Sequence, residues 1–141
     1  MKKDRKDTVL VVGCGRFGST VANRLSEKNN NVTIIDIDQS NFRKLSPSYG
    51  GLTKEGDGGD IDVLESVGIE KTDIVIVATD DDDTNIMVGA IAKDIYKVDE
   101  VVVRLFDPSK DVCLSRSGVK VIYPAVLSYN EFERLAYGEE E

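Results

Sequence analysis

TVLVVGCGRFG, residues 8–18, is the stretch whose reading decides the fold. It opens on a continuous apolar run rich in β-branched side chains, which suits a strand buried on both faces of a parallel sheet. Gly13, Gly15 and Gly18 follow at once, and over residues 17–28 the apolar positions Val21, Ala22 and Leu25 recur at helical spacing. A GxGxxG that leaves a strand and opens a helix gives each glycine a task. The first permits a tight turn, the second lets backbone approach an anionic group, and the third lets helix and strand pack closely. The helix start adds N–H donors and the positive end of its dipole.

Outward from this stretch the same alternation repeats. Residues 32–36 (VTIID) read as a second strand, 40–45 as a short helix stopped by Pro47, and 50–55 as a weak third strand. Residues 60–67 are helical, and 74–79 (IVIVAT) form the clearest buried strand, with a longer helix over 84–96. A fifth strand over 100–105 (EVVVRL), a helix over 109–115, a sixth strand over 119–123 ending at Pro124, and a last helix over 128–137 complete the order. Strands alternating with helices imply βαβ units, and right-handed crossovers place helices on both sides of a parallel sheet. The expectation is a single domain over residues 8–137, an α/β fold with a doubly wound, six-stranded parallel sheet of the Rossmann type. Residues 1–7 read as a flexible polar N-terminus and residues 138–141 (GEEE) as an acidic tail, both frayed.

Composition narrows the function classes. A chain of 141 residues with 40% apolar and 31% charged residues is a soluble globular domain with one core. A formal net charge of −8 and the lack of a basic stripe argue against a nucleic-acid partner. No apolar run approaches the length of a membrane span, and the N-terminus lacks a secretory core, so the cytoplasm is the expected compartment. With no histidine, and two cysteines outside any CxxC spacing, a zinc site and a His-based triad are disfavoured, and no metal is expected.

The candidate site residues gather where strands end. Asp36 closes the second strand, where a carboxylate accepts hydrogen bonds from adenosine ribose hydroxyls and repels a 2′-phosphate. Asp38 either assists or caps the next helix, with capping preferred. Arg16, inside the loop, can fork onto phosphate oxygens and favours a di- or triphosphate; a solvated arginine is the alternative. Asp57 and Gly58 follow the third strand at the carboxyl edge of the sheet, and Thr79 and Asp80 follow the fourth. Asp81 to Asp83 extend an acidic run that can bind a hard cation, although capping of the following helix is preferred. Arg104, ending the fifth strand, either reaches across the crevice or pairs with these aspartates. Cys14 fills a small space in the loop unless the helix terminus activates its thiol. Tyr129, Phe132, Leu135 and Ala136 stripe the last helix; covering the domain's own sheet is the default, a partner surface the alternative.

The motifs VVGCGRFG, IIDID, the GD at Gly56 and Asp57, IVIVATDDDDTNI, VVVRLFDP and GVKVIYP stand in that order over about residues 8–127. Together they resemble the N-terminal nucleotide-binding domain of the Trk/Ktr potassium-uptake regulators, the RCK or KTN domain. ATDDDDTNI and VRLFDP after their strands are unusual for a dehydrogenase. The resemblance implies a regulatory subunit, not an enzyme, that binds NAD(H) or ATP/ADP and forms homodimers or higher rings. Such a subunit controls a membrane potassium transporter as a peripheral partner on its cytoplasmic face. Carried over by position, the ligand contacts fall on Gly13, Cys14, Gly15, Arg16, Phe17, Gly18, Asp36, Asp57, Gly58, Thr79, Asp80 and Arg104. Many members carry a second, C-terminal ligand domain. Since the chain closes soon after its last helix, either that domain belongs to a separate RCK C-terminal-domain protein, or this is a single-domain variant, or the chain is shortened.

Two rivals stand beside this reading. A small NAD-dependent oxidoreductase would keep the glycine loop but needs a proton donor near the nicotinamide, and Tyr96-Lys97 lies beyond the long helix, away from the crevice. A nucleotide-binding scaffold for an unrelated partner would share every motif, because fold does not fix function.

Overall fold

The structure is a computed structural model that describes residues 6–138. Six strands form one wholly parallel sheet: β1 (Thr8–Val12), β2 (Asn31–Asp36), β3 (Leu52–Glu55), β4 (Ile74–Val77), β5 (Glu100–Arg104) and β6 (Lys120–Ile122), in the order β3-β2-β1-β4-β5-β6. The expected doubly wound sheet is therefore observed, and the order reverses between β1 and β4. In such sheets the reversal opens a crevice at the carboxyl ends of the two strands. The register sets its floor: Val12 lies level with Ile35 on one side and Val77 on the other. One residue further on, the Gly13 N–H donates to Ile35 O and the Ala78 N–H to Val12 O, both at 2.8 Å.

Alternate residues of β1 serve opposite faces, as a strand buried on both sides requires. Leu10 and Val12 join the cluster under α2 (Ile61–Ser66) and α3 (Asp82–Ala90), with Leu64, Val75, Val77 and Val88. Val9 and Val11 join the cluster under α1 (Arg16–Glu27), with Ala22, Val32 and Ile34. Burial of these two clusters is the main favourable term in folding.

Element boundaries differ from the sequence reading where short-range chemistry intervenes. The short helices expected over 40–45 and 109–115 are 3-10 helices, Gln39–Lys44 and Pro108–Leu114. Each is opened by an aspartate, Asp38 or Asp107, whose carboxylate takes the N–H and hydroxyl of the serine two residues on. The long helix starts at Asp82, two residues before the expected Thr84, and after Ala90 widens into a π-helix, Ile91–Ile95. The last helix, α4 (Pro124–Tyr137), starts at Pro124 itself, because a proline lacks an N–H and fits the first helical turn. Its expected role in covering the sheet is not what the structure shows: no residue of α4 is buried. Asp7, which the sequence reading put in the frayed terminus, is buried: its N–H donates to Asn30 Oδ1, and its carbonyl accepts the Asn31 N–H. Residues 1–5 and 139–141 of the two expected flexible ends lie outside the described residues.

Candidate functional site

A cleft of about 440 Å³ opens at the switch between β1 and β4, within the size range of small-molecule sites. Gly13 and Gly15 floor it, Asp36, Asn41 and Lys44 close the β2 end, Gly56, Asp57 and Gly58 enter from β3, and Thr79, Asp80 and Asp81 close the β4 end. The N-terminus of α1 points at this floor. Its N-cap, Gly15, brings no side chain, and its first turn holds no acidic residue, so no side chain of the helix itself caps this end.

The glycines of the loop are required for different reasons. A Cβ at Gly18 would sit 1.9 Å from Gly13 O, and Gly13 itself has φ 106° with its would-be Cβ 2.6 Å from Ala78 O. Those two are obligatory for the fold. At Gly15 a Cβ would meet nothing within 4 Å, and its φ of −84° suits any residue. The protein's own packing does not demand a glycine there. The space is cleft, and only something bound in it would touch that Cβ.

Asp36 is the junction of the β2 end. Its Oδ2 accepts the Cys14 N–H at 2.7 Å, while Oδ1 accepts the Asp38 N–H at 2.8 Å and the Asn41 amide at 3.0 Å. By lone-pair count Oδ1 is filled and Oδ2 keeps one place, enough for one ribose hydroxyl. The carboxylate thus also ties the glycine loop to the 3-10 helix after β2. Cys14 makes a second tie, its thiol donating to Asn41 O at 3.3 Å. Burial, and after it the charge of Asp36, raises the thiol's pKa, so Cys14 is packing and not a nucleophile.

At the β4 end the acidic run is spoken for residue by residue. Asp81 caps α3, taking the Asp83 N–H and the Thr84 hydroxyl. Asp82 is buried and accepts the backbone N–H groups of Phe106 and Asp107, both at 2.9 Å. Asp83 pairs with Lys110 at 3.0 Å on the surface. Asn85, fully buried, accepts from Thr79 N–H and hydroxyl and donates to the carbonyls of Thr79 and Arg104, riveting the ends of β4 and β5 to α3. Asp80 alone of the run makes no hydrogen bond or ion pair among the described residues, and it faces the cleft. Capping, tertiary anchoring and pairing account for Asp81, Asp82 and Asp83.

Arg104 forms no ion pair with these aspartates among the described residues and stands outside the cleft lining. Its guanidinium lies 4.5 Å from the centre of the Phe106 ring and 5.7 Å from that of Phe17, and its Nη2 donates to the Thr79 and Ala78 carbonyls at 3.2 and 3.4 Å. Among the described residues no carboxylate is within ion-pair distance of it. Burial lowers its pKa, and the charges of Asp80 and Asp82 oppose that shift. It braces the β4 end through the Ala78 and Thr79 carbonyls, outside the cleft lining. Arg16 is exposed at the first position of α1, also outside the lining, with Phe17 beside it.

The model of the TrkA-N domain family matches residues 9–124. The chain belongs to the TrkA-N domain family. The Trk system potassium uptake protein TrkA of Streptomyces coelicolor is 32% identical over 114 residues, covering 81% of this chain and 51% of the relative. The chain thus spans about half the length of that curated relative. Among solved structures, the TrkA-N domain of the inner membrane protein ybaL from Escherichia coli superposes with a TM-score of 0.82 at 16% identity, over 94% of this chain and 98% of that one. The GsuK channel bound to NAD gives 0.78 at 24% identity over 93% and 23% of the two chains. GsuK bound to ADP gives 0.79 at 24% over 99% and 36%. These likenesses show the fold.

Within the TrkA-N domain the structure brings Gly13, Gly15, Asp36, Asp57, Gly58, Thr79 and Asp80 together on one cleft. It sets Cys14 and Gly18 behind the loop, and Arg16, Phe17 and Arg104 beside or beneath it. Asn41 and Lys44 were not singled out from the sequence. They sit in what reads as an ordinary short amphipathic turn, and only the return of the 3-10 helix across the β2 end carries them to the cleft. Asn85 and Asp82 were visible inside ATDDDDTNI, but their burial has no signature in a polar run.

Proposed function

We propose that this TrkA-N domain is the nucleotide-sensing module of a potassium-uptake system, regulatory rather than catalytic. An adenine nucleotide, NAD(H) or ATP/ADP, lies across the switch-point cleft with its phosphates on the Gly13–Gly18 loop and α1 N-terminus. Its adenosine ribose reaches the open lone pair of Asp36. The observation that carries this is Gly15: a glycine that the protein's packing does not require, facing open space over an uncapped helix start. The reading is supported by the relatives' names, which are those of potassium-uptake proteins, and by NAD and ADP in structural neighbours of the same fold.

No helix among the described residues is long and apolar enough to cross a membrane. On this reading the partner is a membrane potassium transporter, met from its cytoplasmic face. The exposed apolar stripe of α4, with Leu127, Phe132 and Leu135 each more than half exposed, supports assembly of the domain into a homo-oligomer. A nucleotide that prefers one arrangement of that oligomer shifts the transporter between states by its difference in affinity for them.

Calorimetric titration of nucleotide-free protein with NAD, NADH, ATP and ADP tests the sensor. Binding that weakens in Gly15→Ala is expected, and silence from every nucleotide would overturn the reading. Potassium flux through the reconstituted transporter, with and without this chain and the bound nucleotide, tests the regulation.

A further inference from the structure

Asp36 has less acceptor capacity left than its place in the cleft suggests, and the residue that reduces it is Asn41. Its Oδ1 takes the Asp38 N–H at 2.8 Å and the Asn41 side-chain amide at 3.0 Å, while Oδ2 takes the Cys14 N–H at 2.7 Å. The two backbone N–H groups alone would leave one open lone pair on each oxygen, a place for each of two neighbouring hydroxyls. The Asn41 amide fills the place on Oδ1. Its orientation is forced: an ammonium only donates, so Asn41 turns its oxygen to Lys44, whose Nζ donates to it at 2.7 Å, and its NH2 is the end left for Asp36. The amide polarised by Lys44 is in turn the stronger donor. Asn41 is half-buried, and all three side chains belong to the cleft lining.

Given the nucleotide reading above, this decides how the sugar is read. Asp38, the other carboxylate at the β2 end, is exposed and has its Oδ1 taken by the Ser40 N–H and hydroxyl, so a sugar hydroxyl there only replaces water. We infer that the adenosine ribose is held through Asp36 Oδ2 by one of its two hydroxyls and that the other goes unread, with Asn41 as the specificity-determining residue that makes it so.

Calorimetric titration of the nucleotide-free chain with ADP and NAD, and with their 2′-deoxyadenosine and 3′-deoxyadenosine counterparts, tests this. One deletion should weaken binding about tenfold or more, the worth of a hydrogen bond to a charged group, and the other by no more than about twofold. In Asn41→Ala the freed lone pair on Oδ1 takes the second hydroxyl, so the deletion that was tolerated should now cost about tenfold as well. Comparing one analogue across the two proteins cancels any effect of the deletion on the sugar's own conformation. The substitution spares the other tie between the loop and the 3-10 helix, because the Cys14 thiol donates to the Asn41 backbone carbonyl. Equal losses from the two deletions in the parent, no loss from either, or an unchanged profile in Asn41→Ala overturns the single-hydroxyl reading while leaving a nucleotide site in place. Absence of binding by both ADP and NAD removes the nucleotide reading and this inference with it.

Discussion

Gly15 and Gly18 belong to one loop, yet a methyl group added to each has opposite consequences. At Gly18 it lands 1.9 Å from a backbone carbonyl, so Gly18→Ala should cost about 1–3 kcal/mol or more in urea denaturation. Gly15→Ala adds a methyl to open space, and its stability should stay within about 1 kcal/mol of the parent. Its nucleotide affinity should fall by about tenfold or more, the worth of one amide-to-phosphate hydrogen bond. Should both variants unfold alike, the assignment of Gly15 to the ligand is wrong. Asp36 is a poorer probe, because Asp36→Ala also releases the Cys14 and Asp38 N–H groups and the Asn41 amide. The thiols make a second pair: Cys113 is exposed, whereas Cys14 is fully buried with a pKa raised by that burial. A disulfide reagent near neutral pH should therefore label Cys113 quickly and reach Cys14 only in denaturant. Rapid labelling of both would contradict the packed loop.

Among the elements, α4 is the one whose role the fold does not complete. It carries apolar side chains on an exposed helix, and the sheet residues Val102 and Ile122 on the α1 side remain only partly buried. A helix with this much apolar exposure is a contact surface, since monomers rarely leave such patches open. Phe132→Asp and Leu135→Asp should lower the oligomeric state seen by analytical ultracentrifugation, and the melting temperature of the dilute protein should stay near that of the parent. An unchanged sedimentation profile would exclude α4 from the interface. The start of α3 is the contrary case, fully committed inward. Asn85→Ala strands the Thr79 N–H and the Arg104 carbonyl, and leaves the Thr79 carbonyl to Arg104 alone. A loss of about 2–4 kcal/mol is expected, against little for Asp83→Ala at the exposed ion pair.

At the scale of the whole molecule, a ligand bound only by the native state stabilises by mass action. At about a hundred times its Kd the gain is about 2.7 kcal/mol, which for a chain of this size raises the melting temperature by about 5–10 °C. A thermal-shift series should show that rise for nucleotides that bind and its loss in Gly15→Ala. The architecture that makes this possible was open to reading residue by residue. TVLVV and IVIVAT can only be strands buried on both faces, and the glycine loop between strand and helix fixes the crossover that follows. Gly13, Asp36, Asp57 and Thr79 are legible because each ends a strand, and the carboxyl edge of a parallel sheet is where such ends meet. The rest depends on directions that a linear pattern does not encode. Arg104 ends its strand as Thr79 does, but two rings and two carbonyls hold it outside the cleft lining. Lys44 reaches the cleft because a 3-10 helix folds back across β2, and α4 leaves the sheet uncovered although its stripe reads like that of any covering helix. Hydrophobic period and glycine position, set by local backbone chemistry, determined the sheet and its switch point. Side-chain direction and the match of polar groups to partners distant in sequence exist only once the chain has folded, and those decided which charges line the cleft.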